Sequence, residues 1–327
     1  MSPPATAPSA ATARARAFVA ERKRDAVALG RRAGDLVNDP GALVEEIRAG
    51  LPALADPEYL DGMRTIVPGI GPVLGVRQPL LQAIGSGLRS ATRRDRPTTL
   101  LDVADRLLRE ENPELRWLAY GILERTVREE PERTWQLVRA EGRRAGEWAS
   151  VDTLAHVAAI GIAAEPYRWA ELEQLVYSPS RWERRLAAST IATLPHEDHD
   201  AGRSPATMRH ALGILGDLLG DSEPDVQKAL AWALRTLAEV DLAQTVAFLR
   251  REALVAAETD DGHRAWVVRD TLSKLPAPAA QELRAVVDGV RRRPDAPSTS
   301  RASATAADFL SLGLAVPPAE RTTVDRP

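Results

Sequence analysis

Proline preceded by a cap-type residue punctuates this chain, and between those points apolar residues return every three or four positions. Asn112-Pro113, Ser178-Pro179, Ser204-Pro205 and Asp221-Ser222-Glu223-Pro224 all fit helix starts. A short polar side chain can accept from a free N–H of the first turn, and proline lacks the N–H that would go unbonded there. Helical spacing runs through Phe18, Val19, Ala26, Leu29, Ala33, Leu36 and Val37. It predicts further helices near 98–110, 114–130, 147–163, 206–219, 225–238 and 241–257. No alternating, β-branched run bounded by turn residues stands out, so the expected fold class is all-α. Three of the helices look alike, reading PELRWLAYGIL from Pro113, PSRWERRLAASTI from Pro179 and PDVQKALAWAL from Pro224. Their starts lie 66 and 45 residues apart, near one or two units of a helical repeat of roughly 40–47 residues. Such pairs stack into a solenoid with a concave face, so an irregular HEAT-like solenoid is expected.

Composition removes whole classes of chemistry. The 327 residues hold no cysteine, which excludes disulfides, thiolate metal sites and cysteine nucleophiles. With 43 basic against 46 acidic residues, the net charge of −3 argues against a histone-like polycation and leaves room for a local basic face. Lysine stands only at 23, 228 and 274. The arginine bias suits phosphate recognition and equally suits a GC-rich genome. No stretch approaches the ~20 apolar residues that span a bilayer, and no apolar h-region follows the first charges; a cytoplasmic, membrane-free protein is expected. Residues 1–12 and 294–327 are too poor in apolar side chains to offset ordering entropy and are read as disordered tails. The second contains a small apolar cluster, Phe309, Leu310, Leu312 and Leu314. Between the tails lie a helical extension over 13–57 and a main domain over 58–293.

Tryptophan is the most informative residue. All seven, at 117, 135, 148, 169, 182, 232 and 266, fall in the repeat region, beside only four tyrosines and three phenylalanines. Two or three of these flat rings are expected on the concave face, the remainder between helices with the N–H satisfied. Within Glu147-Trp148-Ala149-Ser150-Val151-Asp152-Thr153-Leu154, Trp148 and Asp152 are four apart and share a helix face. A ring face attracts a desolvated cation by about 1–2 kcal/mol. A carboxylate about 4 Å away adds on the order of 4 kcal/mol at an effective dielectric near 20. The pair therefore suits a cation, although Asp152 also fits a plain helix-N-terminal acid. His196 and His199, in PHEDHD, read as a solvated acidic loop, so no metal is expected there. Gly69-Ile70-Gly71 lacks the strand–turn–helix setting of a dinucleotide fingerprint.

These segments together resemble the AlkD-type DNA alkylation repair family, HEAT-like bacterial glycosylases that release cationic alkylpurines. EWASVDTL is similar to the family's Trp-x-x-x-Asp segment, and Gly71–Pro79 to its N-terminal turn. Glu114-Leu115-Arg116 falls where the family places the helix before Trp–Asp. Arg181–Ala188 resembles its W-x-x-R-x-A helix, and Gln227–Arg235 its Q-K-A-x-x-W-x-L-R helix. Order and spacing agree over about residues 58–275. The resemblance implies Asp152 as catalytic carboxylate, Trp148 and Trp232 as lesion-facing rings, and Arg185 as a contact to the DNA backbone. Arg184, Lys228 and Arg77 are further candidates for DNA contact. It implies a concave DNA-binding face, a monomer acting on double-stranded DNA that contains alkylated purines, and neither metal nor organic cofactor. The reaction expected is hydrolysis of the N-glycosidic bond; the alternative from another class is a non-catalytic DNA- or protein-binding scaffold. Ile66 stands where the family commonly has tyrosine, which bears on lesion scope, from methyl groups to the bulky adducts of DNA-alkylating antibiotics.

Overall fold

The computed structural model describes residues 10–293 and 295–311, the last three without side chains. Among the described residues it contains sixteen α-helices and, in place of sheet, one antiparallel bridge between Ala55 and Val76. The fold is an all-α helical repeat. No helix among the described residues is long and apolar enough to cross a membrane. The chain divides into two compact units at residues 137 and 138.

The first unit holds α1 (Ala10–Asp35), α2 (Pro40–Gly50), α3 (Pro57–Ile66), α4 (Gln78–Ala91), α5 (Pro97–Leu108) and α6 (Pro113–Thr126). The division falls within α7 (Pro131–Arg144). Ala10–Thr12, expected in a disordered tail, already belong to α1, which carries the helical pattern back from Phe18. Helix α1 packs against α4 at two glycines. A Cβ on Gly30 would stand 1.9 Å from the Ile84 carbonyl oxygen, and one on Gly87 2.1 Å from that of Val27. Only hydrogen fits at that crossing.

The turn before α4 is held by one buried carboxylate. Glu114, fully buried, accepts from the backbone N–H groups of Leu74 (2.8 Å), Gly75 (2.9 Å) and Val76 (2.6 Å). Gly75 sits at φ +86°, where a Cβ would meet Asp56 O at 2.9 Å and Leu60 Cβ at 2.7 Å. The turn therefore needs both its glycine and its acceptor. Asn112 caps α6 by accepting from Glu114 N–H at 2.7 Å, which sets the orientation of Glu114.

The second unit continues with α8 (Trp148–Ala164), α9 (Trp169–Val176), α10 (Arg181–Glu197), α11 (Pro205–Leu218), α12 (Pro224–Val240), α13 (Leu242–Thr259), α14 (Gly262–Thr271), α15 (Ala277–Val286) and α16 (Arg301–Ser311). Helices α8, α10, α12 and α14 pack side by side in one layer, and α9, α11, α13 and α15 form the second. Ala155, Ala158 and Ala159 of α8 and Ala187, Ala188 and Ala192 of α10 are buried, small residues that let neighbouring axes approach closely. Ser204, Asp241 and Asp261 cap α11, α13 and α14. The Ser178-Pro179 signal is displaced by two residues: α10 begins at Arg181 after Ser180, while Ser178 accepts from Ser180 N–H at 3.1 Å.

Two further expectations change. Pro195, His196 and Glu197, read as loop, complete α10, and Glu197 accepts from the His156 ring at 2.6 Å. Residues 301–311, read as tail, form α16 packed on α11. Hydrogen bonds and an ion pair supply what the apolar content lacks. Thr299 N–H donates to Gly220 O at 2.9 Å, Ser300 Oγ accepts from Ser303 N–H at 3.1 Å, and Arg301 pairs with Asp217 at 2.8 Å. The cluster Phe309, Leu310, Leu312 and Leu314 lies outside the described side chains.

Replacing Glu114 by alanine removes the acceptor of three N–H groups at once. An orphaned buried donor costs about 1–3 kcal/mol. Glu114→Ala is expected to lower stability by at least about 2 kcal/mol, read as a lower urea midpoint at unchanged slope.

Candidate functional site

The site is assembled on three successive helices of the second unit. Helix α8 starts at Trp148 because Glu147 caps it, its carboxylate accepting from Ser150 N–H at 3.0 Å. The first-turn N–H groups thus have an acceptor already, and Asp152 is not acting as a helix-terminal acid. It turns instead to α10, where Arg185 grips both carboxylate oxygens: Nε to Oδ1 at 3.0 Å and Nη2 to Oδ2 at 2.7 Å. Ser189, four residues along and on the same face of α10, donates Oγ–H to Oδ1 at 2.7 Å. The remaining amino group of Arg185, Nη1, donates to the Asp225 carbonyl in the first turn of α12 at 2.6 Å. One guanidinium therefore joins α8, α10 and α12.

The pair is dry on one side and open on the other. The Arg185 side chain is 6% exposed and that of Asp152 is 18% exposed, so Asp152 is the more accessible member. The Trp148 ring is half-buried beside them, with its centroid 5.9 Å from Arg185 Cζ. The cation that faces this ring and this carboxylate in the protein is its own arginine.

Trp232 and Lys228 are four apart on α12 and share a face; Trp232 is half-buried and Lys228 exposed. Arg184 points elsewhere. Its Nε pairs with Asp221 Oδ2 at 2.6 Å, and Nη1 donates to the carbonyls of Ser178 (2.8 Å) and Pro179 (3.0 Å). It fastens the turns that precede α10 and α12. Arg77 lies in the first unit, stacked 4.8 Å over Tyr59 and bonded through Nε to Asp56 at 2.7 Å. Other tryptophans have partners of their own: Trp169 stacks on His210 at 4.6 Å, Trp182 lies under Arg181 at 4.7 Å, and Trp266 under Arg292 at 5.5 Å. Trp135 is buried. Ile66 ends α3 and is 66% exposed.

Sequence reasoning missed Ser189, Glu147 as cap and Asp225 as carbonyl acceptor. The i,i+4 spacing of Arg185 and Ser189 was the available signal for the first. Nothing in the sequence marks the last, because a main-chain acceptor leaves no trace in residue type.

The family model described as "DNA alkylation repair enzyme" matches residues 47–275. The chain belongs to that family. The matched span includes Arg77, Trp148, Asp152, Arg184, Arg185, Lys228 and Trp232, so the Asp152–Arg185 pair lies within a DNA alkylation repair enzyme. A comparison with curated proteins returns no match.

Asp56, the partner of Arg77, gives stability a pH dependence. Burial alone would raise the Asp56 carboxyl, but the hydrogen bonds and charges of Arg77 and Arg14 outweigh it and hold the group below its ordinary 3.8. As pH falls, the unfolded chain takes up this proton first. The contribution to stability is thus complete above the unfolded value and lost as pH drops through the folded one. Denaturation curves taken downward from about pH 5 should show a shallower acid decline in Asp56→Asn than in the wild type.

Proposed function

We propose that the protein is a monofunctional DNA glycosylase that hydrolyses the N-glycosidic bond of cationic N3- and N7-alkylated purines in duplex DNA. The observation that carries this reading is Asp152: a carboxylate fixed by Arg185 and Ser189, partly exposed, and one helical turn from Trp148. Membership of the DNA alkylation repair family supplies the setting.

The chemistry asks little else of the chain. An alkylated purine that is already cationic leaves neutral, with no general acid, and positive charge develops on the deoxyribose. A fixed carboxylate at that sugar favours the charge as it forms and can take a proton from the attacking water. The rings of Trp148 and Trp232 offer their faces to the same cation. Phosphate contacts fall to Lys228, which is exposed, and to the donors that Arg185 and Arg77 do not spend on the protein. Arg184, with Asp221 and two carbonyls as partners, serves mainly to hold the loops. The lesion is a methyl group or a bulky adduct, in base-excision repair or in self-resistance to a DNA-alkylating natural product. The protein acts as a cytoplasmic monomer with no metal or organic cofactor.

The test is Asp152→Asn, which preserves shape and removes the charge. Single-turnover release of 7-methylguanine from a defined duplex should fall by roughly a thousandfold, the rate equivalent of about 4 kcal/mol, with DNA affinity within about threefold. Circular dichroism of the variant controls for the loss of Arg185's partner. Release at wild-type speed would remove Asp152 from the chemistry. A wild type that binds the duplex and frees no base would favour a non-catalytic scaffold.

A further inference from the structure

The two oxygens of Asp152 are not equivalent. Oδ1 receives two donors, Arg185 Nε at 3.0 Å and Ser189 Oγ–H at 2.7 Å. Oδ2 receives one, Arg185 Nη2 at 2.7 Å. A carboxylate offers about four lone-pair directions, two on each oxygen, so Oδ1 is saturated and Oδ2 keeps one open. Ser189 makes the difference. It is fully buried, and its hydroxyl has Asp152 as its hydrogen-bond partner among the described residues.

The geometry points to Ser189 as a positioning residue that fills Oδ1 and leaves Oδ2 as the oxygen that meets the attacking water, an inference that rests on the glycosylase reading. The ion pair gives a reason for this division. Arg185 already balances the carboxylate charge at contact distance, so the bare attraction of Asp152 for a distant cation is weakened. Orienting one water becomes the larger part of its work. In the step, the C1′–N9 bond breaks and its electron pair leaves with the alkylpurine, which becomes neutral. The water oxygen bonds to C1′, and the proton it sheds goes to Oδ2 and then to solvent. Without the Ser189 hydroxyl, Oδ1 regains a free direction and the carboxylate can tilt about the Arg185 fork, so the water loses its fixed acceptor.

The experiment is Ser189→Ala, alone and combined with Asp152→Asn, in the full-length protein. Alanine is the best helix former and removes only the hydroxyl. Single-turnover release of 7-methylguanine is measured beside duplex affinity and thermal midpoint. The expected result is a release rate roughly tenfold lower, the scale of one hydrogen bond to a charged group, with affinity within twofold. In the Asp152→Asn background the same change should do nothing further, because the group it positions is already gone. Ser189→Ala releasing base at the wild-type rate overturns the inference and leaves the glycosylase reading standing. An equal loss of rate in both backgrounds also overturns it, since Ser189 would then act on something other than Asp152. A wild type that releases no base overturns both.

Discussion

The guanidinium of Arg185 is the constraint on which the second unit's chemistry depends. Its fork holds Asp152 of α8, and its remaining amino group holds the Asp225 carbonyl of α12. A charge this deeply buried is tolerated only when a counter-charge and acceptors meet it, because stripping an ion of water costs several kcal/mol. Planarity matters as much as charge: lysine would supply a cation but not three fixed directions. The buried alanines of α8 and α10 bring the two axes close enough for a side chain on one to grip a side chain on the other. Thr193 adds a second tie between the same helices, donating to Ala155 O at 3.2 Å. The result is a carboxylate whose position is set by packing before any substrate arrives, which is the condition for electrostatic preorganisation.

Carboxylates also do quieter work in both units, as acceptors for backbone N–H groups. Glu114 closes a turn that no helix or sheet could satisfy, and Glu147 caps α8 so that Asp152 is free to face α10. In each case one acid removes a local demand and lets another residue take a different role. That division explains why two acids five positions apart, Glu147 and Asp152, end in unlike surroundings.

Much of this was legible in the residues. Helix positions followed from apolar spacing, and Asn112 and Ser204 cap where short polar residues precede a helix. The face shared by Trp148 and Asp152 followed from spacing four. What spacing could not tell was the partner. Trp148 and Asp152 suggested a cation, and the protein's own Arg185 takes that place, because long-range pairing across helices depends on axis separation and not on local pattern. Arg184 and Arg185 are adjacent and alike in sequence, yet one binds the site and the other binds two turns; a rotation of about 100° along a helix decides it. Residues 301–311 misled for a related reason. The segment leading into them is fastened by Ser298 and Thr299, which donate to Gly220 O, and by hydrogen bonds among Ser298, Ser300 and Ser303, which composition counts as solvation.

The central claim is that an anchored carboxylate acts on a lesion that carries its own leaving-group charge. Excision of 7-methylguanine and of hypoxanthine, compared in one duplex context under single-turnover conditions, tests it most directly. The account predicts release of the cationic base and little release of the neutral one at similar DNA affinity. Comparable rates for the two would mean that an acid protonates the leaving base, and Asp152 held by Arg185 would not explain the reaction.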